Sequence, residues 1–176
     1  MKRYSFNCYF ENFEKKEEMI RKKPITPEAA RLRMADLCAR GEHCSFEITE
    51  KLKRMNLPLS QIREIVNYLE DNKFISDQRF ATAYARDKVR FSAWGRNKIR
   101  MGLYAKRIDN ASIRAALDAI EEKDYMDAAR RAAAVKAKSL NIADYQDRAK
   151  LFRHLAAKGF EAPVISSIIS RLKSDG

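Results

Sequence analysis

Large apolar residues recur along this chain with a period of about fifty positions. Leu52, Leu103 and Leu155 are separated by 51 and 52 residues. In the same register, large apolar residues stand four positions before each leucine and five, ten, fourteen and seventeen positions after it. Such self-similarity is typical of a tandem repeat, whose units stack and bury a shared core.

The spacings inside the repeat predict helices, because intervals of three and four residues place side chains on one helical face. Each repeat has one helix ending near its leucine, a short turn and a second helix, and a further helix precedes each pair. These preceding helices are predicted from Thr26 to near Gly41, from about Asp77 to Phe91, and from about Tyr125 to Leu140. The predicted fold class is therefore all-α, with three tandem three-helix repeats. The predicted divisions are an N-terminal extension and three repeats, at residues 1–24, 25–75, 76–124 and 125–176.

Composition supports a packed helical protein with a polyanionic partner. Hydrophobic residues make up 45% of 176 positions, and only 5 Gly and 4 Pro are present, too few for a protein rich in β-hairpins. The net charge is +12, which favours nucleic acid or another acidic partner. No apolar run approaches the roughly 20 residues of a membrane span, and residues 1–23 lack the apolar core of a signal peptide. We therefore expect a cytoplasmic protein that does not contact membranes.

The positive charge is densest in one stretch of the second repeat, from Arg79 to Arg107. Nine basic residues there are opposed by Asp87 alone, although residues 125–176 also carry a net charge of +5. Residues 27–76 carry eight basic and eight acidic groups, whereas residues 77–124 carry eleven and seven. Phosphate contacts need several cations within reach of one backbone, and aromatic side chains such as Phe91, Trp94 and Tyr104 can stack on unpaired bases. Two more conservative interpretations remain: the cations only solvate the surface, and Trp94 fills a helix junction. The candidate DNA- or filament-binding residues are Arg79, Arg86, Lys88, Arg90, Arg96, Lys98 and Arg100.

No motif in the sequence indicates catalysis, a cofactor or a metal site. The two histidines, His43 and His154, are 111 residues apart, and no nucleophile motif or phosphate-binding glycine loop is present. Cys8, Cys38 and Cys44 lack the paired spacing of zinc ligands. We expect Cys38 and Cys44 to be small core residues in a reducing compartment.

The second repeat resembles the central signature of the RecX regulatory proteins. The resemblance rests on the segment Phe74–Ala81, followed by Tyr84, Arg90, Gly95, Ile99, Leu103, Lys106 and Ile108. The first and third repeats also look RecX-like, so the similarity covers roughly residues 26–173. Ser76 stands where the signature has an Asp, and Arg107 stands where the family often has Gly. The extension before Thr26 lies outside the pattern.

This resemblance implies an elongated, curved array of the three repeats that binds in the groove of the RecA–DNA filament. It implies contact with RecA and with single-stranded or filament-bound DNA, and inhibition of filament growth, ATPase activity and strand exchange. No enzymatic activity or cofactor is implied, and we take a monomer as the starting expectation.

Two other functions are compatible with a basic helical repeat. A sequence-specific DNA-binding protein of the helix-turn-helix type would prefer one duplex sequence strongly over others. A scaffold that binds protein alone would show little salt-dependent binding to DNA.

Overall fold

The computed structural model describes residues 25–174, and this part of the chain contains nine α-helices and no strands. The prediction of an all-α tandem repeat is confirmed. The helices are α1 (Pro27–Ala39), α2 (Ser45–Lys53), α3 (Leu59–Asp71), α4 (Asp77–Ser92), α5 (Arg96–Ala105), α6 (Asn110–Asp118), α7 (Glu122–Ala137), α8 (Tyr145–Ala157) and α9 (Ala162–Ser174).

Four helices begin at side chains that satisfy the free backbone N–H groups of the first turn. The hydroxyls of Thr26 and Ser76 and the carboxylates of Asp109 and Asp144 accept hydrogen bonds from the first turns of α1, α4, α6 and α8. Pro27 then occupies the first turn of α1, where its missing N–H is not needed. Ser76, which stands where the RecX signature has an Asp, therefore supplies a capping side chain for α4.

The middle helix of each repeat ends in the same left-handed turn, four residues after the repeat leucine. Asn56, Arg107 and Gly159 occupy this position with φ of 58°, 59° and 90°. In the second repeat, Ile108 donates its N–H across the turn to the Leu103 carbonyl at 3.2 Å. Glycine adopts a positive φ without strain, whereas Arg107 is held there at a cost of about 1 kcal/mol or more.

The predicted apolar positions form the core in all three repeats. Leu52, Leu103 and Leu155 are fully buried, and the other apolar positions of the periodic pattern are buried or half-buried. The first repeat has a core of its own, whereas the second and third repeats share one continuous core. The apolar period therefore predicts which side chains are buried in each repeat.

A close contact between two glycines joins the second and third repeats. The N–H of Gly95 donates to the Lys158 carbonyl at 2.8 Å, and the N–H of Asn97 donates to the Gly159 carbonyl at 3.1 Å. A Cβ atom built on Gly95 would lie 2.1 Å from the carbonyl carbon of Gly159. Only a residue without a side chain allows the two backbones to approach this closely.

The first repeat meets the second through the start of α2. Cys44 is fully buried in the core that the second and third repeats share. The next residue, Ser45, donates its N–H and its hydroxyl to the two carboxylate oxygens of Asp77, both at 2.8 Å. Lys106 forms an ion pair with Glu47 across the same junction. Side-chain hydrogen bonds and an ion pair therefore join the first repeat to the second.

Candidate nucleic-acid interface

Three of the candidate cations lie along one stripe of α4. Arg79, Arg86 and Arg90 are spaced by seven and four residues, which places them on one side of the helix. Arg86 and Arg90 are exposed and line a groove of about 260 Å³ that α4 forms with α6 and the start of α7. Arg86 approaches only the neighbouring Asp87, at 3.7 Å, and such an exposed pair contributes little energy. Glu121 and Asp124 line the same groove but form no ion pair with either arginine within residues 25–174, so both guanidinium groups stay exposed to a phosphate or to an acidic protein surface.

Arg79 belongs to the same stripe but is held by the protein itself. Its Nε lies 2.5 Å from a carboxylate oxygen of Glu42 in the first repeat. Its Nη2 donates to the carbonyls of Lys73 and Phe74, both at 3.3 Å, at the end of α3. Arg79 thus joins the first repeat to the second. Because its guanidinium already has these partners, it is less available to a binding partner than its position in the sequence indicates.

Arg96 is likewise engaged, at the junction between the second and third repeats. Its guanidinium lies over the ring of Tyr125 at 4.0 Å and forms an ion pair with Glu122 at 3.0 Å. Its backbone N–H donates to the Tyr125 hydroxyl at 3.0 Å, and that hydroxyl donates to Glu161. Burial raises the pKa of Tyr125, and the hydrogen bond to Glu161 raises it further. The fully buried tyrosine and Arg96 therefore form part of the structural joint between two repeats.

Lys88 and Lys98 lie against the face of Trp94. Their Nζ atoms are 5.0 Å and 4.7 Å from the centre of its indole ring, within the range of cation–π attraction. Trp94 is half-buried and packs on the shared core, as expected of an aromatic residue at a helix junction. The two ammonium groups limit stacking of a base on this ring, whereas the nearby Phe91 is 79% exposed and accessible to a partner.

Arg100 lies in a second groove, on a different face of α6. This groove, of about 300 Å³, is formed by α5 and α6 and is also lined by Arg96, Tyr104 and Arg114. Arg100 contacts the Asn97 side chain at 3.4 Å, and Arg114 has no hydrogen bond or ion pair within residues 25–174. Arg114 is not among the candidates predicted from the sequence, because it lies seven residues beyond the basic run. The helical period of α6 places Arg114 beside the buried Ile113 and Leu117, and this period could have predicted its position.

The seven candidate cations therefore do not form one continuous patch. Arg86 and Arg90 share one groove, Arg100 lies in another, and Lys88 and Lys98 flank the tryptophan. The two remaining arginines connect neighbouring repeats. This division separates cations that can meet a partner from cations that hold the fold.

The cysteine and histidine side chains outside this surface pack or hydrogen-bond within the fold. Cys44 is buried in the core and Cys38 is half-buried, and burial raises the pKa of both thiols. The Nδ1 atom of His43 is 2.9 Å from Glu47. Within residues 25–174, no group of three or more metal-ligating side chains is close enough to hold an ion. Cys8, the third cysteine of the sequence, lies outside the described residues.

The helices of the described part are also too short or too polar to cross a membrane. None between residues 25 and 174 combines the length and apolar character of a membrane span.

Comparison with known families identifies the second and third repeats. The family description "RecX, second three-helix domain" matches residues 76–117, and "RecX, third three-helix domain" matches residues 122–169. The matched ranges cover all or most of six of the nine helices in residues 25–174. They cover the surface built from α4, α5 and α6.

Curated relatives match a larger part of the chain. The regulatory protein RecX of Vibrio campbellii is 30% identical over 134 residues, which is 76% of this chain and 85% of that protein. The RecX protein of Acinetobacter baylyi is 29% identical over 79% of this chain and 85% of its own length. The RecX protein of Oceanobacillus iheyensis is longer, and the 26% identical match spans only 47% of it.

Solved structures show the same fold. The crystal structure of RecX from Lactobacillus salivarius superposes with a TM-score of 0.73 at 24% identity, covering 84% of this chain and 96% of that one. A second crystal structure of a regulatory protein RecX gives a TM-score of 0.71 at 23% identity.

Proposed function

Because this chain belongs to the RecX family, we propose that it binds the RecA–DNA filament and inhibits the recombinase and ATPase activities of RecA. In this proposal it acts as a monomer in the cytoplasm, during recombination, DNA repair and the SOS response. It has no catalytic chemistry of its own and needs no cofactor. The observation that carries the proposal is the set of exposed arginines on the second repeat, in a chain of this family.

The proposed contacts are electrostatic. Arg86, Arg90 and Arg100 present guanidinium groups to solvent from two neighbouring grooves, and each can contact a phosphate or an acidic side chain. Lys88 and Lys98 add charge beside them. Each cation that neutralises a phosphate on single-stranded DNA releases counterions, so binding should weaken by about 0.7 logarithmic units per contact for each tenfold rise in salt.

A matched pair of charge reversals tests these contacts. The variant Arg86→Glu/Arg90→Glu changes exposed residues that line the groove beside α6. The control Arg63→Glu/Arg153→Glu makes the same change in net charge at exposed positions of α3 and α8, whose side chains form no hydrogen bond or ion pair within residues 25–174. Both variants should keep the helical circular dichroism of the natural protein, because none of the four side chains is buried.

Binding is measured by fluorescence anisotropy with RecA assembled on a labelled single-stranded oligonucleotide. The groove variant should bind about tenfold more weakly than the control, which corresponds to about 1.4 kcal/mol, and its salt dependence should be reduced. Equal affinity of the two variants would contradict the proposed contact residues. Strong preference for one duplex sequence, or binding insensitive to salt, would instead favour the DNA-reader or the protein-scaffold function.

A further inference from the structure

The first repeat contains an open groove between two of its helices. The groove, of about 620 Å³, lies between α1 and the end of α2. In the first repeat α1 packs mainly against α3, whereas α4 packs against both α5 and α6, and α7 packs against both α8 and α9. The space between α1 and the end of α2 therefore stays accessible in the first repeat.

The floor of this groove is apolar. It is formed by Met34, which is buried, and by the half-buried side chains of Ile25, Leu37 and Met55. Methionine is unbranched and polarisable, so it adapts to differently shaped apolar side chains of a partner. Among residues 25–174, no aromatic side chain lines the groove, so this part of the lining offers no ring on which a nucleic-acid base could stack.

The rim of the groove is strongly basic. Arg33 and Arg40 project from α1, seven residues apart, and Lys51 and Arg54 project from the end of α2. None of these four cations has a hydrogen bond or ion pair within residues 25–174, and Asp36 is the single acidic residue of the lining. The first repeat has no excess of basic residues overall, so this concentration arises from folding.

We propose that this groove is a docking site for an acidic, amphipathic segment of a partner protein. Apolar side chains of such a segment would contact Met34, Leu37 and Met55, and its carboxylates would pair with the cations of the rim. An apolar floor inside a basic rim fits this chemistry better than a nucleic acid, whose phosphates gain nothing from methionine and leucine. The proposal goes beyond filament binding by the second repeat and does not depend on it.

The full-length protein is tested with a fluorescent helical peptide that carries leucines on one face and glutamates on the other. A second peptide has serine in place of each leucine, and oligo(dT) is the nucleic-acid probe. The variant Arg33→Glu/Lys51→Glu changes the rim, and Arg63→Glu/Arg153→Glu is again the control of equal charge. Circular dichroism of each variant establishes that it is folded.

The leucine peptide should bind the natural protein and the control within about twofold of each other, and the rim variant at least about tenfold more weakly. The serine peptide should bind weakly to all three proteins. Equal binding of the leucine peptide to the rim variant and the control would overturn the proposal.

The same binding experiment gives different results if the groove holds a nucleic acid or the N-terminal segment of this chain. If oligo(dT) displaces the peptide and is itself lost in the rim variant, the groove is a nucleic-acid site and the proposal is wrong. If the peptide binds only after Glu11, Glu14, Glu17 and Glu18 are changed to Gln, the groove serves this chain's own N-terminal segment, and no separate partner is needed. Loss of filament binding in Arg86→Glu/Arg90→Glu with intact peptide binding would leave this inference standing and affect only the proposed contacts of the second repeat.

Discussion

Replacing Gly95 by alanine should separate the second and third repeats. The added Cβ atom would lie 2.1 Å and 2.2 Å from the carbonyl carbon and oxygen of Gly159, and 2.2 Å from the N atom of Phe160. All three are backbone atoms, so no side-chain rotation can relieve the clash. The two backbones must move apart, although the repeats share one core on both sides of this contact.

The cost follows from three effects. Overpacking of a close contact costs about 1–3 kcal/mol. Separation also weakens the hydrogen bonds from Gly95 to Lys158 and from Asn97 to Gly159, each of which contributes about 0.5–1.5 kcal/mol. Alanine also restricts the conformations of the unfolded chain, which stabilises the folded state by only about 0.4–1 kcal/mol. The net loss should be about 1–6 kcal/mol, which corresponds to a fall in Tm of roughly 2–20 °C for a domain of this size.

The assay is thermal and urea unfolding, followed by circular dichroism. The control is Gly41→Ala, because a Cβ atom on Gly41 meets nothing within 4 Å. That control should stay within about 0.5 kcal/mol of the natural protein. If Gly95→Ala were as stable as Gly41→Ala, the close approach of the two glycines could not be the joint between the repeats.

Two further predictions concern single residues. Arg107→Gly should unfold with a free energy about 0.5–1 kcal/mol higher than Arg107→Ala in urea titrations, because both variants lose the contact of Arg107 with the Phe46 ring and only glycine relieves the φ of 59°. Burial, and after it the charges of Lys158 and Lys136, lower the pKa of His154 below its ordinary 6.5. The unfolded state therefore binds more protons, and stability falls as pH drops from 6.5 through the folded pKa. His154→Leu should remove this component of the pH dependence, and an unchanged dependence would show that His154 does not contribute.

The repeat architecture could be predicted from the sequence because apolar side chains report directly on burial. The period that contains Leu52, Leu103 and Leu155 gave the helices of each repeat to within a few residues. The largest difference lies at α7, which begins at Glu122 rather than near Tyr125 and ends at Ala137 rather than Leu140. Its N-cap residue, Glu121, makes no capping hydrogen bond with its side chain. The sequence therefore contains no capping residue that would predict where this helix begins.

The roles of individual cations could not be predicted in the same way. Arg79 and Arg96 look like Arg86 and Arg90 in the sequence, but their partners, Glu42 and Tyr125, are 37 and 29 residues away and meet them only after the repeats pack. The basic groove of the first repeat was missed for a related reason. Its cations come from two helices and are balanced by acidic residues elsewhere in the same repeat, so a count of charges along the chain hides them.

The most direct test of the central claim is the DNA-dependent ATPase rate of RecA as increasing amounts of this protein are added. We expect strong inhibition at substoichiometric amounts of the natural protein. Arg86→Glu/Arg90→Glu should need about ten times more protein for the same inhibition, whereas Arg63→Glu/Arg153→Glu should behave as the natural protein does. An ATPase rate that stays unchanged at equimolar natural protein would contradict the proposal that this chain inhibits RecA.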